Sequence, residues 1–158
     1  MNYTIEILEP IFKEANYRFM KTKKTWVKKN DNISVVCQYQ KSRFSNNFFI
    51  NIGIHFGREN DNPKKSISLD DCHLIARYDQ VFQDFSALDI KEENFENYEI
   101  LNKELAFMTN NLEKKLIPIL DNMLDIDFMK LNLNNYPNEH WWLQNITEEN
   151  YYMLVGDE

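Results

Sequence analysis

Glycine is scarce in this chain: Gly53, Gly57 and Gly156 are the only three in 158 residues. A loop that cradles phosphate needs several glycines close together, so that backbone N–H groups can approach the anion. No such loop can be built here. Cysteine is scarcer still. Cys37 and Cys72 cannot make a disulfide framework, and they lack the paired short spacings of zinc sites. One bridge between them is the only one the sequence permits. The simpler reading of Cys37 is a small buried apolar residue in phase with Ile33, Val35 and Tyr39. No apolar run approaches the roughly 18–20 residues that span a bilayer. The opening MNYTIEILEP has no basic flank and no long apolar stretch, so neither an anchor nor a signal peptide is expected. The serines lack the G-x-S-x-G context of a nucleophile elbow. These absences point to a cytoplasmic protein without cofactor or metal, and to a non-enzymatic role.

What the chain does have is core-forming material. Hydrophobic residues make up 43% and aromatic residues 14% of the sequence. A domain of this length buries about 68–70% of its unfolded surface, so a single domain over residues 1–158 is expected. The net charge is −7, but it is unevenly spread, with +6 over residues 1–66 and −13 over residues 67–158. Such asymmetry indicates either a charged partner or a basic hairpin packed near acidic helices.

The strongest pattern is the alternation Phe48, Ile50, Ile52, Ile54, Phe56, with Phe49, Asn51, Gly53 and His55 between. It predicts a strand over Asn47–Phe56 with one buried face. Strands are also predicted over Lys24–Lys29 and Ile33–Lys41, joined by an Asn30-Asp31-Asn32 turn, and over Cys72–Val81. In the last of these, His73, Ile75, Arg77 and Asp79 share one face, and Cys72, Leu74, Ala76 and Tyr78 the other. A first helix is expected over Tyr3 to about Tyr17 on the stripe Ile5, Leu8, Ile11, Phe12 and Ala15, kinked or broken at Pro10. A second follows Leu101, Leu105, Met108, Leu112, Leu116, Ile119 and Met123, with a bend or restart at Pro118. A third is capped by Thr147 and stops at Gly156. Phe82–Phe95 reads as loop or short turn. The predicted class is α+β: an antiparallel meander of about four strands, with helices packed on the Phe48–Phe56 apolar face.

The run KTWVKK at Lys24–Lys29, then VCQYQKS at Val36–Ser42, FFINIGIHF at Phe48–Phe56 and the Cys72-His73 pair resemble a bacterial family of unknown function, domain of unknown function 4304. The shared features are a leading helix, a Trp-bearing strand, a strand ending in Gln-Lys-Ser, a strand containing Asn-Ile-Gly, and a downstream Cys-His. The likeness covers roughly Ile11 to Asp79. It implies a small, stand-alone cytoplasmic protein and carries no catalytic residues with it. Many immunity proteins, which neutralise the toxins of rival cells, share that profile.

Two surfaces are candidates for recognition. The first is the acidic and aromatic stretch holding Asp79, Asp84, Phe85, Asp89, Glu92, Glu93, Phe95, Glu96 and Glu99. It would suit a basic protein partner such as a toxin domain, with carboxylates steering the encounter and aromatics anchoring it. The same rings would also serve as a loop docked on the core. The second is the sheet face opposite the apolar row, where Gln38, Gln40, Asn51, His55, His73 and Arg77 form a polar field interrupted by Phe49. That field is either a recognition face or an ordinary solvated side of the sheet. His140-Trp141-Trp142 reads as an exposed anchor or as the closing end of a core. The basic cluster Lys21, Lys23, Lys24, Lys28 and Lys29, interleaved with Tyr17, Phe19 and Trp26, invites nucleic acid. The acidic total, with pI near 5.0, opposes that. Its plainer reading is an edge strand whose lysines discourage aggregation. A protein-binding module, most plausibly toxin-neutralising, is the preferred function. A nucleic-acid accessory protein and a small enzyme are the alternatives.

Overall fold

The computed structural model describes residues 3–41, 43, 48–56, 67–77, 103, 106 and 109–129. Helix α1, Tyr3–Glu14, leads into five strands: β1 Arg18–Met20, β2 Thr25–Lys29, β3 Ile33–Lys41, β4 Phe48–Phe56 and β5 Leu74–Arg77. They form one antiparallel sheet in the order β1-β2-β3-β4-β5. The class is α+β with a meander, as the alternation implied, but with five strands. The added one, β1, pairs outside β2 through Phe19 and Trp26. The lysine-bearing β2 is therefore an inner strand and not a solvated edge.

Of the kink or break expected at Pro10, the break does not occur: α1 runs as one helix through the proline. Its packing explains this: Leu8 and Phe12 are fully buried and Ile5 and Ile11 nearly so, which holds the cylinder against the sheet on both sides of the proline. The helix ends at Glu14, earlier than the predicted end at about Tyr17. Asn16 adopts φ 66°, and the chain reverses there. Tyr17 N–H donates to Phe12 O (2.8 Å) and Asn16 N–H to Lys13 O (3.0 Å), a Schellman pair that satisfies the last carbonyls.

Between α1 and the sheet lies an aromatic stack. Trp26, fully buried, has Phe12 stacked at 4.5 Å and Phe19 tilted at 5.0 Å. Each such pair adds about 0.5–1.5 kcal/mol beyond the area it removes from water. The rest of this face is the predicted apolar set: β3 and β4 pair along their whole length, placing Val35 against Ile54, Cys37 against Ile52 and Tyr39 against Ile50. All of these are buried.

A helical stretch over residues 109–122 covers the same core with Leu112, Leu116 and Leu120, all fully buried. Pro118 disturbs it as expected, and the form is specific. Leu112–Leu116 makes a π-helical turn, with Ile117 N–H donating to Leu112 O, and helix α2 restarts over Ile117–Asn122. The wider turn gives the proline ring room against the preceding carbonyls. Asp125 Oδ1 then accepts from Asp127 N–H (2.8 Å) and Phe128 N–H (3.3 Å), capping the last described turn.

The β2–β3 turn ties sheet and helix together. Asn30 Oδ1 accepts from Asn32 N–H (3.0 Å) and Ile33 N–H (2.8 Å), while its Nδ2 donates to Leu124 O at 2.6 Å. Nearby, Lys28 Nζ meets Asp121 Oδ1 at 2.8 Å and lies 5.5 Å from the centre of the Tyr17 ring. The lysine stem covers apolar surface while its charged head finds partners.

Candidate functional site

The acidic and aromatic stretch from Asp79 to Glu99 lies outside the described residues, as do Phe82–Phe95, the His140-Trp141-Trp142 triplet and the segment from Thr147 to Gly156 where a third helix is predicted. The sheet face opposite the core is described, and strand register orders it in rows. Thr25, Gln38, Asn51 and Arg77 are successive neighbours across β2, β3, β4 and β5. Val27, Val36, Gly53 and Ile75 form the next row, and Lys29, Ser34 and His55 begin the third. His73 precedes β5 and is aligned with that third row. All six sequence candidates are thus on one face, yet they do not make one field.

The middle row divides them. A Cβ placed on Gly53 would come within 2.6 Å of Cys72 Sγ and 2.9 Å of Leu69 Cδ1. The 3₁₀ turn Leu69–Asp71 therefore crosses this face at its centre, in space that only a glycine leaves open. Val36 and Gly53 are buried beneath it. Ser68 anchors the turn: its N–H and its hydroxyl both donate to Asp71 Oδ2, at 2.9 and 3.0 Å. Two expectations are corrected here. β5 starts at Leu74, so Cys72 is not a strand residue facing with Leu74 and Ala76. The interruption of the polar field is this turn, and Phe49 takes another part.

On one side of the turn is an amide ladder. Asn51, only 7% exposed, donates through Nδ2 to Gln40 Oε1 at 2.7 Å and, more weakly, to Gln38 Oε1 at 3.4 Å. Arg77 is the β5 partner of Asn51, and its guanidinium carbon lies 4.9 Å from the centre of the Phe49 ring. Phe49, read from the sequence as an intrusion, is the platform for that cation. The aromatic residue two positions before the asparagine on β4, and so on the same face, was the signal available in the sequence.

On the other side are the histidines, with ring centres 4.8 Å apart. His73 Nδ1 accepts a hydrogen bond from Phe56 N–H at 3.0 Å, which fixes the neutral tautomer with its proton on Nε2. Burial, with a smaller contribution from His55, holds the His73 pKa below the ordinary imidazole value of 6.5.

Cys37 belongs to the core face and Cys72 to the opposite one, and both are free and buried. The sheet between them forbids a bridge without unpairing strands. Burial, aided by Asp71 and Asp70, pushes the Cys72 thiol up to about 12, and burial with Cys72 raises Cys37 further. Cys72 Sγ faces Ser68 O at 3.5 Å. Neither thiol becomes a thiolate near neutral pH, the form a nucleophile or metal ligand requires. Among the described residues no group of three or more His, Cys, Asp or Glu is placed to hold a metal ion. Nor is any helix among them long and apolar enough to cross a membrane.

Comparison with protein families matches residues 8–122 to the model described as Domain of unknown function (DUF4304). That span holds every motif on which the resemblance was drawn. Comparison with curated proteins and with solved structures gives no match.

Proposed function

We propose a non-enzymatic, protein-binding role of the toxin-neutralising kind, exercised in the bacterial cytoplasm, for this chain, which belongs to the DUF4304 family. The observation that carries it is the make-up of the described sheet face. On one side of the covering turn, neutral amides are hydrogen-bonded to one another and a guanidinium lies over an aromatic ring, which is the chemistry of recognition. Among the described residues the two thiols are buried and protonated, and His73 is tied to the backbone through Nδ1. Order in a polar patch reduces the entropy lost when a partner docks, which favours a binding surface. The acidic stretch from Asp79 to Glu99 supplies the long-range attraction for a basic partner.

The test begins with the product of a neighbouring toxin gene, co-expressed with this chain. Replacing Asp84, Glu92, Glu93 and Glu96 by lysine should slow association while leaving thermal unfolding unchanged. The wild-type association rate should fall as salt rises, because steering is screened at a Debye length of about 8 Å and packing is not. Equal protection from the toxin by wild-type and charge-reversed protein would overturn the acidic surface as the docking site. A metabolic operon around the gene, with no toxin bound, would overturn the immunity reading as a whole.

A further inference from the structure

The turn that crosses the second face of the sheet is fastened through a histidine. His73 N–H donates to Ile54 O at 2.9 Å and His73 Nδ1 accepts from Phe56 N–H at 3.0 Å, so one residue clasps β4 through both its backbone and its ring. We propose that Ser68–His73 is an acid-released strap: when the His55–His73 pair takes up protons, the strap lifts and uncovers the apolar row of Val36, Gly53 and Ile75. The proposal is separate from the protein-binding reading and concerns how the centre of this face becomes exposed.

The strap is built to move as a unit. Asp71 N–H donates to Ser68 O at 3.1 Å and Cys72 N–H to Leu69 O at 3.0 Å, while Ser68 closes the turn on Asp71 Oδ2. Those bonds lie inside the turn and survive its lifting. Its seat on the sheet is narrow, since Leu69 and Cys72 bear on Gly53, which has no side chain to interlock with them. β5 beyond it is held more firmly, with Leu74 to Arg77 each paired to β4. Local opening therefore belongs to the strap and not to the strand.

Proton uptake acts on the clasp in two ways. Neutral His73 accepts the Phe56 N–H, but the protonated ring carries N–H on both nitrogens. Two donors then face each other across 3.0 Å, and the Phe56 N–H loses its acceptor. The His55 ring, 4.8 Å away centre to centre, adds like-charge repulsion once both rings are charged. Among the described residues, the other charges offset this little. On β3 the neighbour of His55 is the neutral Ser34, and on β2 the row ends in Lys29, itself positive. Arg77, the charged residue of β5, belongs to the row of Asn51 on the far side of the turn. Within the strap, Asp71 is turned to Ser68 and Asp70 is exposed, where solvent screens it. The Cys72 thiol stays protonated throughout. At neutral pH the strap is closed, because burial and His55 keep the His73 pKa below 6.5.

The experiment labels the thiols of the full-length chain with 4,4′-dithiodipyridine at pH 7.5 and pH 5.0, and mass spectrometry assigns the labelled cysteine. Rates are divided by those of glutathione at the same pH, which removes the pH dependence of the reagent. Cys72 lies in the strap against Gly53 and reports lifting, whereas Cys37 lies on the core face and reports global unfolding. Cys72 should be labelled faster at pH 5.0, by up to roughly thirtyfold for His73 alone, the limit set by a released imidazole of pKa 6.5. Cys37 should stay unlabelled at both. In His73→Gln the amide oxygen can accept from Phe56 N–H but cannot titrate, so the Cys72 rate should lose its pH dependence, whether the strap is held or free. His55→Gln should keep a smaller acid response than wild type, and it decides the matter if His73→Gln is labelled at Cys37 as well. A wild-type Cys72 rate that does not rise at pH 5.0, labelling of Cys37 together with Cys72 in the wild type, a full response surviving in His73→Gln, or an undiminished one in His55→Gln would each overturn the proposal.

Discussion

Cys72 occupies the space that any side chain at Gly53 would need: its Sγ lies 2.6 Å, and its Cβ 3.0 Å, from the position a Cβ on Gly53 would take. The contact joins the centre of β4 to the turn that follows it by some way in sequence. It decides that the second face of the sheet is part covered and part exposed. The glycine is required here for close approach, and its backbone is ordinary strand.

Gly53→Ala should therefore destabilise the protein by about 1–3 kcal/mol through overpacking. Leu69 can swing its terminal methyl aside, but Cys72 is held close to its own backbone. Urea denaturation measures the loss. Combining Gly53→Ala with Cys72→Ala should recover part of it, because the closest offending atom is gone. A coupling below about 0.5 kcal/mol between the two positions would mean that the turn does not rest on the glycine.

Ile52→Ala should cost about 2–5 kcal/mol. The side chain is fully buried between Cys37 on β3 and Ala76 on β5, neither of which is large enough to fill the cavity left behind. Chemical denaturation with an unchanged m-value is the expected signature. A loss under about 1 kcal/mol would place Ile52 outside the core.

Asn30 should matter more than the ion pair beside it. Asn30→Ala removes two acceptor contacts inside the turn and the donor contact to Leu124, and about 1–2 kcal/mol should be lost. Asp121→Asn breaks the bridge to Lys28, whose side chains are 24% and 41% exposed, so a loss below about 1 kcal/mol is expected. Thermal unfolding of the two variants gives the order directly.

Acid should weaken the fold through His73. Its pKa in the folded chain lies below 6.5, the unperturbed value, so above that pH the imidazole is neutral in both states and contributes no pH dependence. As pH falls through 6.5, the unfolded chain takes up a proton that the folded chain refuses until a lower pH. Stability is lost over that window and levels off below the folded pKa. Protonation also converts Nδ1 from acceptor to donor, which ends its bond from Phe56 N–H. Denaturation at pH 7.5 and 5.5 should show a smaller difference in His73→Gln than in wild type. An equal difference would assign the acid sensitivity to other groups.

The sequence by itself determined which residues share a face. Strict alternation from Phe48 to Phe56, and the matching phase of Ile33, Val35, Cys37 and Tyr39, specified β3, β4 and the core side of each, because a strand's period of two is written in consecutive residues. The α1 stripe and the disturbance at Pro118 were legible for the same local reason. Tertiary structure alone decided what lies upon a face. β1 has three residues, too few to display a period, and is a strand because Phe19 pairs with Trp26. Likewise, Asn51 sits in a strand position that reads as solvent-facing, yet it is buried, and its amide orients Gln38 and Gln40. The turn over Gly53 depends on a contact between segments distant in sequence, which no local pattern encodes. Periodicity is a property of neighbouring residues. Coverage of a surface is a property of the whole chain folding back on itself, and it converted one predicted polar field into an amide ladder and a histidine pair on either side of a covered centre.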